Sequence, residues 1–240
     1  VTFTLESQGN PAVIVYTHII VEARQDHRWN FNIISDRNIT ALPGDTSIFE
    51  FNATNIGNYN DTIDIDVTPT ITYSGNDTST WNIIGTQVQL LDVNISTSPS
   101  IHISVPTDSW NGTIVSINVV ASTSNGEVMN THTISIEIGR INGWSIGLQH
   151  ADLDIDATGD NVTLEITQIG NSPSSPYIIP VLTGSWSAET PSNFSTIDPH
   201  KSFIYNLHIT PPENSLSGEI SNLRLIVKDA LGGFGRVEID

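Results

Sequence analysis

The sequence predicts an all-β protein built from tandem two-sheet sandwiches, and three observations predict it. Asn, Ser and Thr number 22, 26 and 26 among 240 residues; these side chains favour turns and strand surfaces and sit poorly inside helices. Apolar residues recur with period two, as in half-buried antiparallel strands. The chain also repeats itself at a spacing of about 105 to 115 residues, which sets the architecture before any residue is given a role.

In chain order, the opening stretch Val1 to Glu22 reads as two alternating strands around a Gly-containing turn, with Phe3, Leu5, Val13, Val15, Ile19 and Val21 available for burial. A lone hairpin is marginal in water. The segment 1–26 is therefore expected to be the last hairpin of a preceding module, covered by another polypeptide or laid against the second module. The same hairpin recurs from Val115, with Thr17-His18 matched by Thr131-His132, and again in the final stretch from Leu223. Both His side chains are expected to face solvent. A Trp then opens a new strand at Trp29 and at Trp144.

The strand led by Trp29, Phe31 and Ile33 is followed by a turn at Pro43-Gly44, an alternating strand and a second turn, "NIGN", at Asn55 to Asn58. Residues 157–171 repeat this block with two residues fewer, carrying Gly159, Gly170 and Asn171. Strands follow at Ile63/Ile65/Val67, Ile101/Ile103/Val105, Val115/Ile117/Val119 and Ile134/Ile136/Ile138; the later copy has Leu164/Ile166, Phe203/Tyr205/Leu207/Ile209 and Leu225/Val227. A further Trp, Trp81 or Trp186, stands before the strand that runs into Pro. Seven or so short strands per hundred residues describe a sandwich, with modules at 27–139 and 140–240.

A net charge of −18, from 26 acidic against 8 basic residues, excludes a basic nucleic-acid binder. The 34 Ile set the chain apart from disordered compositions. With no Cys there is no disulfide and no thiolate metal site or nucleophile. No run of about 18 apolar residues is present, so this segment is expected to make no membrane contact. The opening residues carry no initiator Met or signal core, which suggests a piece of a longer, processed protein.

The order Pro43-Gly44, alternating strand, Asn55-x-Gly57-Asn58, Trp strand and a strand ending in Pro resembles the alpha-galactosidase-associated (NPCBM-associated) and CARDB-type modules of archaeal and bacterial surface proteins. The later copy keeps Gly159, Gly170 and Asn171 but has Thr158 in place of Pro and Gln168 in place of the first Asn. The resemblance implies immunoglobulin-like sandwiches serving as spacer, adhesion or accessory modules outside the cell, with no catalytic residues.

Each candidate site has a competing structural reading. Asp152, Asp154 and Asp156 form the sharpest acidic cluster and are the candidates for calcium. Yet Ala157 and Thr163 stand where an EF-hand-like loop places Gly and Glu, and Leu153 and Ile155 alternate with the carboxylates. A solvated strand face is the first reading, with no cofactor. Asp61, Asp64 and Asp66 are read as surface acidity in the same way. If calcium binds, the inter-module junctions are its place, near Asp26 and the Asp152 cluster. The seven His are scattered without a zinc spacing. "GxSxG" is absent, and Gly232, Gly233 and Gly235 fit a strand-to-strand turn, so no enzyme activity is expected. Trp110, unpaired by the repeat and set in a polar loop, is the Trp offered as a ligand contact. Eight glycosylation sequons, at Asn38, Asn52, Asn60, Asn76, Asn94, Asn111, Asn161 and Asn193, exceed the four or five that chance gives at about this Ser and Thr content. Asn60, Asn76 and Asn111, in turns, are the preferred ones.

With few Lys, these features suit an extracellular, archaeal cell-surface glycoprotein in salt water. The expected role is structural: a stalk or assembly module whose partners are other modules of the parent protein or neighbouring copies. The alternative is a glycan- or protein-binding module, for which Trp110, Tyr73 and Tyr177 are the exposed aromatic candidates.

Overall fold

The computed structural model describes residues 2–72, 80–85, 90–123, 128–148, 154–189 and 194–239. The described residues contain eighteen strands and no helix. A separate hairpin pairs β1 (Thr2–Ser7) with β2 (Asn10–His18). The first sandwich comprises β3 (Trp29–Ile33), β4 (Asn38–Ala41), β5 (Thr46–Asn55), β6 (Ile63–Thr72), β7 (Asn82–Ile84), β8 (Ser96–Thr97), β9 (Ser100–Ser104), β10 (Ile114–Thr123) and β11 (Val128–Ile138). The second comprises β12 (Trp144–Leu148), β13 (Asp160–Gln168), β14 (Pro176–Leu182), β15 (Ser187–Glu189), β16 (Ser202–Thr210), β17 (Leu223–Asp229) and β18 (Phe234–Ile239).

In the first sandwich one sheet runs β3-β5-β9-β7, with β8 also on β5, and the facing sheet runs β4-β11-β10-β6. This is the immunoglobulin-like arrangement of two antiparallel sheets, with the short β4 running parallel to β11. The second sandwich repeats it as β12-β13-β16-β15 over β14-β17-β18. Register shows the correspondence residue by residue: Trp29 stands opposite Asn55 and Trp144 opposite Gln168.

Period two becomes burial directly. Strand β5 alternates so that Phe49, Phe51 and Ala53 are buried, while β10 buries Val115, Ile117, Val119 and Ala121. Phe31 and Phe51 stack nearly parallel, with ring centroids 5.0 Å apart, at the centre of this core. A second, separate core gathers Trp144, Val162, Leu164, Ile166, Leu207, Leu225 and Val227.

Two expectations require correction. His132 does not face solvent: its Nε2 lies 2.9 Å from the Phe31 carbonyl and its ring tilts against Phe31 and Phe51. It thus ties the edge of one sheet to the other, whereas His18 is exposed. The opening hairpin, in turn, is not laid against the second sandwich. Among the described residues β1 and β2 pair only with each other, and Leu5 remains 71% exposed; the Phe3 side chain is outside the description.

Because the two cores are separate, damage to one should stay local. Phe31→Ala removes a fully buried ring from the first core and should cost about 3–5 kcal/mol. In a denaturant titration followed at module-specific probes, the first sandwich should unfold earlier while the second keeps its midpoint.

Candidate functional site

The most elaborate polar construction in the molecule is the seam where chain enters each sandwich. At the second sandwich, Asn171 grips the incoming linker at three points. Its Oδ1 accepts from Ile141 N at 2.7 Å, its Nδ2 donates to Gly139 O at 2.9 Å, and its backbone N donates to Ile141 O at 3.0 Å. A linker crossing a domain pole carries amide groups that no ladder satisfies; Asn171 supplies the missing partners.

The first sandwich repeats the device. Asn58 Oδ1 accepts from Asp26 N at 2.8 Å, Nδ2 donates to Arg24 O at 2.9 Å, and its N donates to Asp26 O at 3.1 Å. The preceding glycine is required by space: a Cβ on Gly57 would overlap the Asp26 carbonyl, and one on Gly170 would lie 2.5 Å from Ile141 O.

One residue further back sits the support. Asn55 Oδ1 accepts from Gly57 N at 3.0 Å and its Nδ2 donates to Tyr59 O at 2.8 Å. Gln168, the departure from the sequence pattern, does the same work: Oε1 accepts from Gly170 N at 2.8 Å and Nε2 donates to Ser172 O at 3.1 Å.

Buried carboxylates brace the pole beneath each seam. Asp61 is 3% exposed, so its reading as surface acidity is corrected. Its Oδ2 lies 2.7 Å from His27 Nδ1, on the linker side, and its backbone bridges to Leu91. The sequence hid this because the pair is 34 residues apart. In the second sandwich Asp229 Oδ2 accepts from Trp144 Nε1 at 2.7 Å and Ser174 Oγ at 2.8 Å. Its Oδ1 accepts from Gly233 N at 2.7 Å and Leu231 N at 2.9 Å. Burial pushes this carboxyl up, but the four donors outweigh burial and hold it below the ordinary value.

The two sandwiches meet through the same residues. Asn111 N donates to the Asn171 carbonyl at 2.8 Å, so the loop 105–113 at the far pole of the first sandwich touches the linker grip of the second. Trp110, offered from sequence as a ligand contact, lies half-buried in this junction loop. Asn111, a preferred sequon, is half-buried there too.

The remaining sequence candidates are not drawn together. Asp154 and Asp156 are exposed, and Asp156 caps its own turn by accepting from Thr158 N and Oγ1. Asp152 lies outside the described residues. Asp26 is paired with Arg28. Among the described residues no three His, Asp or Glu form a metal-holding group. Asp64 is half-buried and Asp66 exposed. Of the sequons, Asn38, Asn60, Asn94 and Asn161 are exposed, Asn52 is half-buried, and Asn76 and Asn193 lie outside the description, as does Tyr73.

No family model matches the chain, and no curated protein matches it. Among solved structures, it is similar to the D00-D0 domain of Intimin, at 12% identity over 88% of this chain and 99% of that one, with a TM-score of 0.35. It is also similar to a PapD-like domain of human CEP192, at 14% identity over 51% of this chain and 93% of that one, with a TM-score of 0.34. A third is a chain of the chaperone-tip adhesin complex of CFA/I fimbriae, at 14% identity over 83% and 91%, with a TM-score of 0.32.

Asn171→Ala should destabilise the second sandwich by about 1–3 kcal/mol, because two linker amide groups lose their partners; thermal unfolding measures it. Asp229 gives a pH test. The unfolded carboxyl titrates near 3.8 and the folded one lower, so its contribution is complete above that value and is lost as pH falls through the folded one. Acid unfolding of Asp229→Asn should therefore start from a less stable protein and show a shallower acid limb.

Proposed function

We propose that this chain is a non-catalytic structural segment, a row of immunoglobulin-like modules that holds a fixed spacing and angle in a large extracellular or cell-surface glycoprotein. The carrying observation is the grip of Asn58 and Asn171 on successive linkers, joined across the junction by the Asn111-to-Asn171 bond. A flexible tether has no use for three bonds to each linker, whereas a stalk needs them at every seam. The acidic, Lys-poor surface would stay hydrated at the ionic strength of salt water, which fits an archaeal setting. The exposed sequons are the positions where glycans would attach. Partners in this reading are neighbouring modules, with calcium and glycan ligands as secondary expectations.

Measured alignment of the two sandwiches decides the point. Residual dipolar couplings from both should fit one alignment tensor, and Gly170→Ala, which forces the linker away from Asn171, should split them into two. Independent tensors in the unaltered chain would overturn the reading.

A further inference from the structure

The far poles of the two sandwiches are built alike but differently covered. In the first, the loop 105–113 has Ser109 N donating to Pro106 O and Thr113 N donating to Trp110 O. In the second, Ser215 N donates to Pro212 O and Glu219 N to Leu216 O. Gly112 and Gly218 both take positive φ, at 80° and 91°, and Ser109 Oγ and Ser215 Oγ are both buried without a partner. Leu216 therefore corresponds to Trp110, Ser217 to Asn111, and Glu219 to Thr113.

In the first sandwich this loop receives a strand end. Residues 135–138 of β11 pair in parallel with β4, Ile138 N donates to Thr113 O, and Gly112 N donates to Ile138 O, each at 2.9 Å. Ile136 and Ile138 are buried there. In the second sandwich Ile239 pairs with Leu223, as Ile134 pairs with Ile117. The place of residues 135–138 is filled by no described residue. A cleft of about 810 Å³ occupies it, lined by Asp154, Ile155, Trp186, Leu216, Ile220 and Leu223. Leu216 and Ile220 are 74% and 82% exposed.

The complementary piece lies in the same chain. Arg24 and Asp26 are gripped by Asn58 as Gly139 and Ile141 are by Asn171. Counting back from those grips, Ala23 takes the position of Ile138 and Val21 that of Ile136. Residues 20–23 lie outside any strand, with Ile20 and Val21 92% and 76% exposed.

We propose that the cleft of one copy receives residues 20–23 of a second copy, joining chains head to tail. Val21 and Ala23 enter the cleft, Ala23 N donates to Glu219 O, and Gly218 N donates to the Ala23 carbonyl. The Asn58 carbonyl of the incoming copy then meets Ser217 N, as Asn171 meets Asn111. The contact joins two different surfaces, so it does not close on itself and extends into a row. Each copy carries a net charge of −18, so joining is favoured by salt that screens their repulsion. This inference rests on the modular stalk reading above.

Sedimentation of the whole chain at high salt tests it with two blocked variants, Val21→Asp/Ala23→Asp and Leu216→Asp/Ile220→Asp. All but Ala23 are named above as strongly exposed, Ala23 is also exposed, and circular dichroism checks that folding is kept. The unaltered chain should form concentration-dependent, polydisperse oligomers. Each variant alone should associate at least about tenfold more weakly, since a carboxylate would enter an apolar cleft. Mixed, they should stop at a one-to-one dimer, because one retains the cleft and the other the strand. A chain that stays monomeric, association that survives either pair of substitutions, or a mixture that forms no dimer would overturn the proposal. A monomer whose two sandwiches still share one alignment tensor would leave the stalk reading standing and remove this one alone.

Discussion

A peptide group that leaves a sheet must find a partner or remain in water, and the whole arrangement of this molecule follows from how the linkers meet that demand. Asn58 and Asn171 offer a side-chain acceptor, a side-chain donor and a backbone donor at the spot where chain passes between sandwiches. Gly57 and Gly170 let the linker approach closely enough for those bonds to form. Once the linker is held, Trp29 and Trp144 enter their cores at the same depth, 4% and 3% exposed, and the first strand of each sandwich starts in register.

Much of this was legible in the sequence, for a physical reason. Alternation along β5, β10 and β13 is imposed by the pleat, so the fully buried Phe49, Ile117 and Leu164 could be named from spacing alone. The repeat of "NIGN" as "QIGN" was visible too, but its meaning was not: a Gly-Asn turn looks the same whether it faces solvent or another segment. Gln168 appeared to break the pattern, yet its longer arm delivers the same two bonds as Asn55. The sequence records residue types, whereas the conserved quantity between the copies is the set of backbone groups satisfied.

What spacing could not reveal are the long-range polar pairs. His132 bonds a carbonyl 101 residues away, and Trp144 and Asp229 meet across 85. Such contacts leave no local signature, because each partner sits in an ordinary alternating strand. Asp61 is instructive: a lone Asp in an acidic stretch reads as solvated, and only the fold brings His27 to it. The two sandwiches also solve the pole differently. The second gives the Trp144 indole a carboxylate, while Trp29 Nε1 has no hydrogen-bond partner.

The parallel pairing of β4 with β11 bears on mechanics. The chain enters the first sandwich near β4 and leaves from the end of β11, so tension along the row pulls these two strands past each other along their length. The bonds between residues 38–41 and 135–138 are then loaded side by side in shear and must yield together, instead of opening one at a time as in a peeled hairpin. The strand that completes a sandwich is thus also its catch under load, and the place where a row of such modules would resist being drawn out.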